Sequence, residues 1–335
     1  MKFSLIICTY MRPIAIVKLL KSVNKQVLYP SEILIIDGST DDETKSSILK
    51  QNFRDLIYYK VDKENRGLTK QRNFGISRVT KDIEIVCFLD DDTILEEDYF
   101  KELINTYKQY PNAGGVGGYI TNEVTWRKLL LNEKAKFNEF EIDGYVRNLG
   151  SRNVLRKKLG LLSDKAPCFM PDFANGFSVG NLPPNSMIYK AQHFMGGVSS
   201  FKKEVVDTIK FSNYFEGYGL YEDADFSIRL AKMGKLFVNT NSQLKHYHDV
   251  SGRPNQYKYG KMVLRNGWYV WRVKYPSPKF KARFKWHATS FLLTLIRFTN
   301  VLTTNKKQEA LSESLGRLVG WFSLIFNKPK DVKIF

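Results

Sequence analysis

The first hundred residues alternate apolar runs with amphipathic segments, and this alternation limits the possible folds more than any other feature. Strands are predicted at 3–8, 32–36, 56–61 and 82–89, and helices at 15–27, 41–52, 69–79 and 95–107. A strand–helix repeat of this kind favours a mostly parallel sheet with helices on both faces. We therefore expect an α/β fold built on a Rossmann-like central sheet.

The pattern changes after residue 110. A glycine-rich strand or turn is predicted at 114–118, an irregular region at 123–190, helices at 203–209 and 222–233, and a strand at 236–238. The chain of 335 residues is long enough to bury a large core. We expect one domain over 1–252 with two halves, 1–110 and 111–252, followed by a largely helical extension over 253–335.

The net charge of +18 is concentrated in that extension. Residues 253–335 contain 17 Lys+Arg and 3 Asp+Glu, a net charge of +14, whereas the preceding residues contain 35 and 31, a net charge of +4. A basic nucleic-acid-binding protein more often spreads its charge over the fold and carries a recognised motif. We therefore expect no nucleic-acid partner.

The cysteines and the amino terminus indicate a cytoplasmic protein. Cys8, Cys87 and Cys168 are odd in number and far apart, which favours reduced thiols over a disulfide framework. The apolar run at 3–8 is only six residues long and is followed by no small-residue cleavage site, so a first strand is a better interpretation than a secretion signal.

Three consecutive carboxylates, Asp90, Asp91 and Asp92, follow the apolar run 83–89. Such a run is typical of a buried strand, and three acids at its end repel one another. A divalent cation with a phosphorylated ligand would balance them, since Mg²⁺ and Mn²⁺ are held by carboxylates together with substrate phosphates. The alternative is a solvated turn in which Asp92 or Thr93 caps the helix predicted at 95–107.

Five segments in a fixed order, 8–13, 36–41, 65–73, 90–92 and 217–229, together resemble an inverting family 2 glycosyltransferase with the GT-A fold. The resemblance covers about residues 1–250. It implies that 1–110 is a nucleotide-binding half and 111–252 an acceptor-binding half, and it implies a divalent metal cofactor, Mn²⁺ or Mg²⁺. Asp92 would be the metal ligand, and Asp90 would hold the ribose or assist the metal. Asp91 would be the variable middle position and would lie with Asp90 among the residues that bind the nucleotide sugar.

The resemblance also places residues in the nucleotide pocket. Asp37, at the end of the second strand, would read the base, because a carboxylate accepts a hydrogen bond from the ring N–H of uracil or thymine. The guanidinium of Arg72 would pair with the diphosphate or the base. Thr9, Tyr10 and Arg12 would border the same pocket. The alternatives are an Asx-turn at Asp37 and a solvated Arg72.

On the acceptor side the resemblance assigns Asp223 as the general base, since inverting transfer needs one carboxylate to take the proton of the attacking hydroxyl. Glu222, Tyr221 and Gly197 would lie around the acceptor. The alternative for the acids at 222–223 is that they favour the start of a helix electrostatically.

Two of the four histidines, His246 and His248, follow the strand predicted at 236–238. Neutral imidazole is a common metal ligand, and the resemblance implies that a histidine here completes the metal site. Alternation along a strand would put both on one face, so the sequence does not choose between them. A purely structural histidine is the alternative.

The extension combines tryptophans with lysines and arginines. Its apolar stretch 288–302 is 15 residues long and contains Arg297, too short to cross a bilayer. Interfacial helices combine these residue types, so we expect peripheral docking on the anionic inner face of the cytoplasmic membrane. The alternative is a helical subdomain with a solvated basic face.

The function expected is metal-dependent transfer of a sugar from a nucleoside-diphosphate donor, UDP- or dTDP-linked, to a hydroxyl of a glycan or lipid-linked acceptor. The resemblance implies inversion and a setting in cell-surface polysaccharide synthesis. Transfer should be non-processive, because the Gln-x-x-Arg-Trp pattern of polymerising relatives is missing. The alternatives are a non-catalytic, membrane-associated binding protein that retains the fold, and a sugar-phosphate nucleotidyltransferase, for which 9–13 is poor in glycine.

Overall fold

A computed structural model describes residues 1–215, 217–248 and 254–329. The strands are β1 Phe3–Thr9, β2 Glu32–Asp37, β3 Leu56–Lys60, β4 Ile85–Asp90, β5 Thr93–Leu95, β6 Ala113–Ile120, β7 Arg127–Lys128, β8 Glu139–Ile142, β9 Tyr145–Asn148, β10 Ile188–Ala191, β11 Val198–Lys202 and β12 Lys235–His246. The helices are α1 Pro13–Val23, α2 Glu43–Leu49, α3 Leu68–Ile76, α4 Tyr99–Gln109, α5 Gly150–Lys158, α6 Lys203–Thr208, α7 Glu222–Leu230, α8 Gln256–Lys274, α9 Phe280–Thr303 and α10 Lys307–Phe326.

The chain forms two compact units. Unit 1 contains residues 1–124 and 178–253, and unit 2 contains 125–177 and 254–335. Residues 125–177, which the sequence assigned to the second half of the first domain, therefore belong with the carboxy-terminal helices. The boundary expected between 252 and 253 lies outside the described residues.

Unit 1 is built on a nine-stranded sheet in the order β10-β12-β6-β11-β4-β1-β2-β3, with β5 paired to β12. The half formed by β4, β1, β2 and β3 is parallel, as the strand–helix alternation predicted. Beyond it, β11 is antiparallel to both β4 and β6, while β12 is parallel to β6. The fold class expected from the sequence, a mostly parallel α/β sheet followed by a helical extension, is confirmed.

The register of the parallel strands brings their carboxyl ends to one edge of the sheet. Thr9 of β1 pairs with Asp37 of β2, and Cys8 pairs with Asp90 of β4. The core beneath this edge is apolar: the side chains of Leu5 and Ile35 are completely buried. Ligands of open α/β sheets bind at such an edge.

The segment after the three aspartates does not continue into a helix. Thr93–Leu95 forms β5 along β12, and α4 begins only at Tyr99 with Asp98 at its N-cap position. The predicted helix start at residue 95 was therefore wrong, and neither Asp92 nor Thr93 caps a helix. Pairing of this short run with a strand that follows much later in the sequence outweighed its local helical pattern.

The region expected to be irregular contains regular structure. In unit 2, β7, β9 and β8 form a three-stranded antiparallel sheet, followed by α5. In unit 1, β10 is an edge strand of the large sheet, and β12 extends over 12 residues where a strand at 236–238 was predicted. These strands are stabilised by long-range pairing, which a local pattern does not reveal.

The basic, aromatic part of the sequence forms helices α8, α9 and α10 of unit 2. Trp271 is buried and its ring stacks on that of Trp286 at 5.3 Å. Two glycines let α8 and α10 approach closely: a Cβ atom on Gly316 would lie 2.0 Å from the carbonyl oxygen of Tyr257, and one on Gly260 would lie 2.1 Å from that of Glu313. No helix in the described part of the chain combines the length and hydrophobicity needed to cross a bilayer.

This packing predicts the effect of a single methyl group. Gly316→Ala should lower the free energy of unfolding by about 1–3 kcal/mol, because the two helix backbones must separate. Ser312→Ala, one turn earlier on α10, is the matched control and should change stability by less than about 0.5 kcal/mol. Chemical denaturation of the full chain measures both values. Equal stability of the two variants would contradict the close approach of α8 and α10.

Candidate active site

The acidic run divides into three side chains with different surroundings. Asp91 and Asp92 are buried, whereas the side chain of Asp90 is 37% exposed. The loop between β4 and β5 turns them in different directions, because Asp90 ends one strand and Thr93 begins the next. Each carboxylate therefore has its own set of contacts.

Asp91 fastens the end of β1 to the loop after β4. Its carboxylate accepts a hydrogen bond of 2.7 Å from the Thr9 hydroxyl and forms a 2.8 Å ion pair with Arg12. Burial raises the pKa of Asp91 to about 6, although Arg12 and Thr9 act in the opposite direction. Arg12 also lies 3.6 Å from Asp92. Asp91 thus has a buried hydroxyl and a half-buried guanidinium as partners, which the expectation of a variable middle position did not include.

Asp90 faces β11 and α3. Its backbone N–H donates to the carbonyl of Gly197 at 3.0 Å, and its carboxylate lies 3.5 Å from the guanidinium of Arg72. A Cβ atom on Gly197 would lie only 2.0 Å from the Asp90 carboxyl carbon. Any side chain at position 197 would therefore require the Asp90 carboxylate to move.

Asp92 meets His246 because β5 pairs with the end of β12. The register sets His246 opposite Thr93, and Asp92 Oδ1 lies 3.0 Å from His246 Nε2. The other ring nitrogen of His246 lies 3.3 Å from Glu123. Burial alone would lower the pKa of His246, but hydrogen bonds to Asp92 and Glu123 raise it to about 10.

In the part of the chain that the structure describes, two groups of residues could hold a divalent metal, and they share His246. Asp90, Asp92 and His246 form one group, and Glu123, His246 and His248 form the other; within each, the ligand atoms lie within 4.8 Å of one another. Carboxylate oxygens with an imidazole suit Mn²⁺ and also Mg²⁺. The first group therefore fits the metal that the sequence implied. His248 pairs with Glu123 at 2.8 Å and belongs to the second group.

Asp37 is completely buried at the end of β2. One carboxylate oxygen accepts from the backbone N–H of Ser39 at 2.7 Å, as in an Asx-turn, and the other accepts from the Tyr58 hydroxyl at 2.5 Å. Both oxygens already have protein partners.

Tyr10, two residues before Arg12, is 39% exposed, and the guanidinium of Arg66 lies 5.9 Å from its ring.

Arg72 is buried rather than solvated on its helix. Its guanidinium forms an ion pair with Glu222 and lies over the ring of Phe211 at 5.2 Å. Burial raises the pKa of Glu222, against the opposing effect of Arg72. One oxygen of Glu222, Oε2, is buried and has no hydrogen-bond partner. The pair joins α3 to the start of α7.

Asp223 is held at the amino terminus of α7 by two backbone donors. Gly196 N–H donates to one carboxylate oxygen at 3.2 Å, and Ala224 N–H donates to the other at 2.7 Å. Burial nevertheless raises the pKa of Asp223 above its usual value. Tyr221 precedes the helix with φ of +71°, a left-handed conformation that is strained for a bulky residue. This turn sets the direction in which α7 and its two acids enter the site.

Sequence reasoning missed Glu123 and Gln71. Glu123 follows β6 in a stretch without a motif, and only the fold brings it to His246. The Gln71 amide donates to the carbonyls of Thr9 and Ile36 at 3.1 and 2.7 Å, joining β1 and β2 at their ends. Gln71 lies beside Arg72 in the segment 65–73. Its position in that segment was the sequence feature that could have indicated a role at the site.

A family model described as glycosyl transferase family 2 matches residues 4–170, about half of the chain. With this match and the sheet and acidic edge above, the chain belongs to glycosyltransferase family 2. The resemblance to family 2 found in the sequence is confirmed.

Two curated relatives and one solved structure illustrate the similarity. The glucosyl-dolichyl phosphate glucuronosyltransferase of Haloferax volcanii is 30% identical over 133 residues, 38% of this chain and 41% of the relative. The O-antigen chain rhamnosyltransferase RfbN of Salmonella typhimurium is 29% identical over 105 residues, 31% and 32% of the two chains. This chain therefore spans less than half the length of either relative.

The solved structure is the mannosyltransferase PcManGT from Pyrobaculum calidifontis, in complex with GDP-Man and Mn²⁺. It matches with a TM-score of 0.54 at 14% identity and covers 98% of this chain and 88% of its own. At that identity the likeness concerns the fold, which is the GT-A fold expected from the sequence.

The contacts of Asp91 predict a loss of stability. Asp91→Ala should lower the free energy of unfolding by about 2–3 kcal/mol, because a charge-assisted pair and a buried hydroxyl lose their acceptor. The exposed Asp164→Ala is the control and should change it by less than about 0.5 kcal/mol. Urea denaturation of both proteins measures the difference. If Asp91→Ala is as stable as the control, its carboxylate does not anchor Thr9 and Arg12.

Proposed function

We propose that the chain is an inverting glycosyltransferase that moves a sugar from a nucleoside-diphosphate donor to a hydroxyl acceptor. One observation carries the proposal: a carboxylate held by two backbone N–H groups, Asp223, belongs to the same network as the acidic edge, through Arg72. Arg72 contacts both Glu222, next to Asp223, and Asp90. A base and a site for the leaving diphosphate are thus built into one connected arrangement.

The reaction is a single displacement at the anomeric carbon. Asp223 takes the proton of the acceptor hydroxyl as its oxygen bonds to that carbon, and the bond from the carbon to the diphosphate oxygen breaks on the opposite face. The nucleoside diphosphate leaves with the electron pair, and the configuration inverts. The Gly196 and Ala224 N–H groups orient the base throughout.

Asp90, Asp92 and His246 would hold a divalent metal, Mn²⁺ or Mg²⁺. When bound, it would supply positive charge to the diphosphate and stabilise it as a leaving group. Arg12 forms an ion pair with Asp91 and lies 3.6 Å from Asp92, so it contributes further positive charge at this edge.

The donors to test first are UDP- and dTDP-sugars, with GDP-mannose as a comparison because the structural neighbour was solved with GDP-Man. The acceptor proposed is a glycan or lipid-linked glycan of a surface polysaccharide. The names of the two relatives, which refer to a dolichyl phosphate substrate and to an O-antigen chain, support this class. Transfer is proposed to occur once per encounter, at the inner face of the cytoplasmic membrane, with the chain docked peripherally.

The base assignment predicts a specific loss of activity. Asp223→Asn keeps the side-chain shape but removes the proton acceptor, so kcat should fall roughly 10²–10⁴-fold while the donor affinity changes little. Donor turnover and calorimetric titration with the nucleoside diphosphate measure the two quantities separately.

The neighbouring acid is a suitable comparison. Glu222→Gln alters the adjacent carboxylate, which contacts Arg72, and should leave a measurable rate. In the wild type, activity should fall on acidification at a higher pH than for an ordinary aspartate, since burial raises the Asp223 pKa. If Asp223→Asn were as active as the wild type, Asp223 would not be the base.

The metal assignment predicts different results for the two histidines. His246→Ala should weaken Mn²⁺ binding at least roughly tenfold, because it removes a ligand. His248→Ala should change it little if Asp90, Asp92 and His246 form the site. Electron paramagnetic resonance titration of Mn²⁺ into the protein without donor measures the affinity. A large effect of His248→Ala would instead point to the group with Glu123.

A further inference from the structure

Helices α8, α9 and α10 of unit 2 enclose an open cavity of about 360 Å³ that lies outside the acidic site. Three tryptophans line it, Trp268, Trp271 and Trp321. Trp321 Nε1 donates to His287 Nδ1 at 3.0 Å, which fixes the ring of Trp321 at the wall. The wall is therefore aromatic and ordered by its own contacts.

The same cavity is strongly cationic. Arg272, Arg283 and Lys328 line it, and no carboxylate does. Among residues 254–329 the sequence holds 14 Lys+Arg and 2 Asp+Glu. Both acids are paired elsewhere: Glu313 with Arg297 and Arg317, and Glu309 with Lys306. Across the described residues, no carboxylate forms an ion pair with the three cations of the cavity.

Burial and the excess positive charge lower the pKa of two groups in the wall of the cavity. Burial lowers the pKa of His287, and Arg283 and Lys328 lower it further. Burial lowers the pKa of Arg272 as well, and Arg283 adds to this effect. The Nε of Arg272 is buried with no hydrogen-bond partner. An anion in the cavity would relieve the repulsion between these cations.

An exposed apolar face adjoins the cavity. Phe322 and Ile325 line it and are 53% and 65% exposed. On α10 the exposed apolar residues recur every three or four positions: Leu311, Leu315, Val319, Phe322 and Phe326. Helix α9 carries an exposed apolar stripe of its own, formed by Phe284, Phe291, Leu295, Phe298 and Leu302. Such a stripe marks one side of a helix. Large exposed apolar patches mark interaction or membrane surfaces.

We propose that this cavity binds the headgroup phosphate of an anionic phospholipid while the apolar faces of α9 and α10 enter the bilayer interface. Three cations without a carboxylate partner among the described residues would attract the phosphate, and the tryptophans suit the interfacial region of the bilayer. The adjoining apolar face would contact the acyl chains. The proposal rests on the peripheral docking included in the proposed function and gives it a specific lipid site.

Vesicle flotation of the full chain tests the site. The wild type should bind vesicles of phosphatidylcholine mixed with phosphatidylglycerol, and should bind phosphatidylcholine alone much more weakly. Arg283→Glu/Lys328→Glu should weaken binding to the mixed vesicles by roughly 30-fold or more, the effect of losing two surface cations. The charge-matched control is Lys258→Glu/Lys261→Glu, on exposed positions of α8 outside the cavity, and should lose less than about threefold.

Each other outcome overturns the proposal. Equal losses in the two double variants would mean general polybasic attraction without a site. Equal binding to both vesicle types would mean that the phosphate charge is not recognised. Displacement from vesicles by soluble glycerol phosphate would indicate a site for a free anion. Thermal melting checks that both variants fold. The charge-conserving variant Arg283→Lys/Lys328→Arg should bind the mixed vesicles as the wild type does.

The enzyme is tested separately on the same proteins. Nucleoside-diphosphate binding at the acidic edge should be unchanged in both double variants, because the substituted residues belong to unit 2. Lost vesicle binding with intact nucleotide binding separates a failure of the lipid site from a failure of the proposed function.

Discussion

The acidic edge of the sheet depends on two arginines that balance closely spaced carboxylates. The parallel register brings the ends of β1, β2 and β4 together, so their polar residues must share a small volume. Arg12 neutralises Asp91, and Arg72 bridges Asp90 and Glu222. Breaking such a buried pair leaves an uncompensated charge, which is far costlier than the pair itself is stabilising. The arginines therefore make the concentration of acids compatible with a folded protein.

The acids at this edge differ in the kind of group that their carboxylates contact. Asp37 and Asp91 have both oxygens engaged and brace strand ends. Asp90 remains partly exposed, and Asp223 is held only by backbone N–H groups that fix its direction without neutralising it. Acids paired with side chains and acids held by backbone N–H groups are thus interleaved along the same edge, and the surroundings of each one set its pKa.

Much of this arrangement was predictable from local patterns. The parallel half of the sheet and the acids at its edge follow from periodicity and spacing. The start of α4, the strands within 123–190 and the assignment of 125–177 to unit 2 were not predictable. They depend on partners far away in the sequence, which a local pattern does not contain.

By itself the sequence determined the class of fold, the family and the residue types at the edge, because strand alternation and the order of acidic segments are local properties. Only the tertiary structure decided what each side chain contacts. It gave Asp91 two side-chain partners, buried Arg72 against Glu222, and brought Glu123 to His246. The reason is physical: burial and charge pairing depend on distances between segments, and these exist only once the chain has folded.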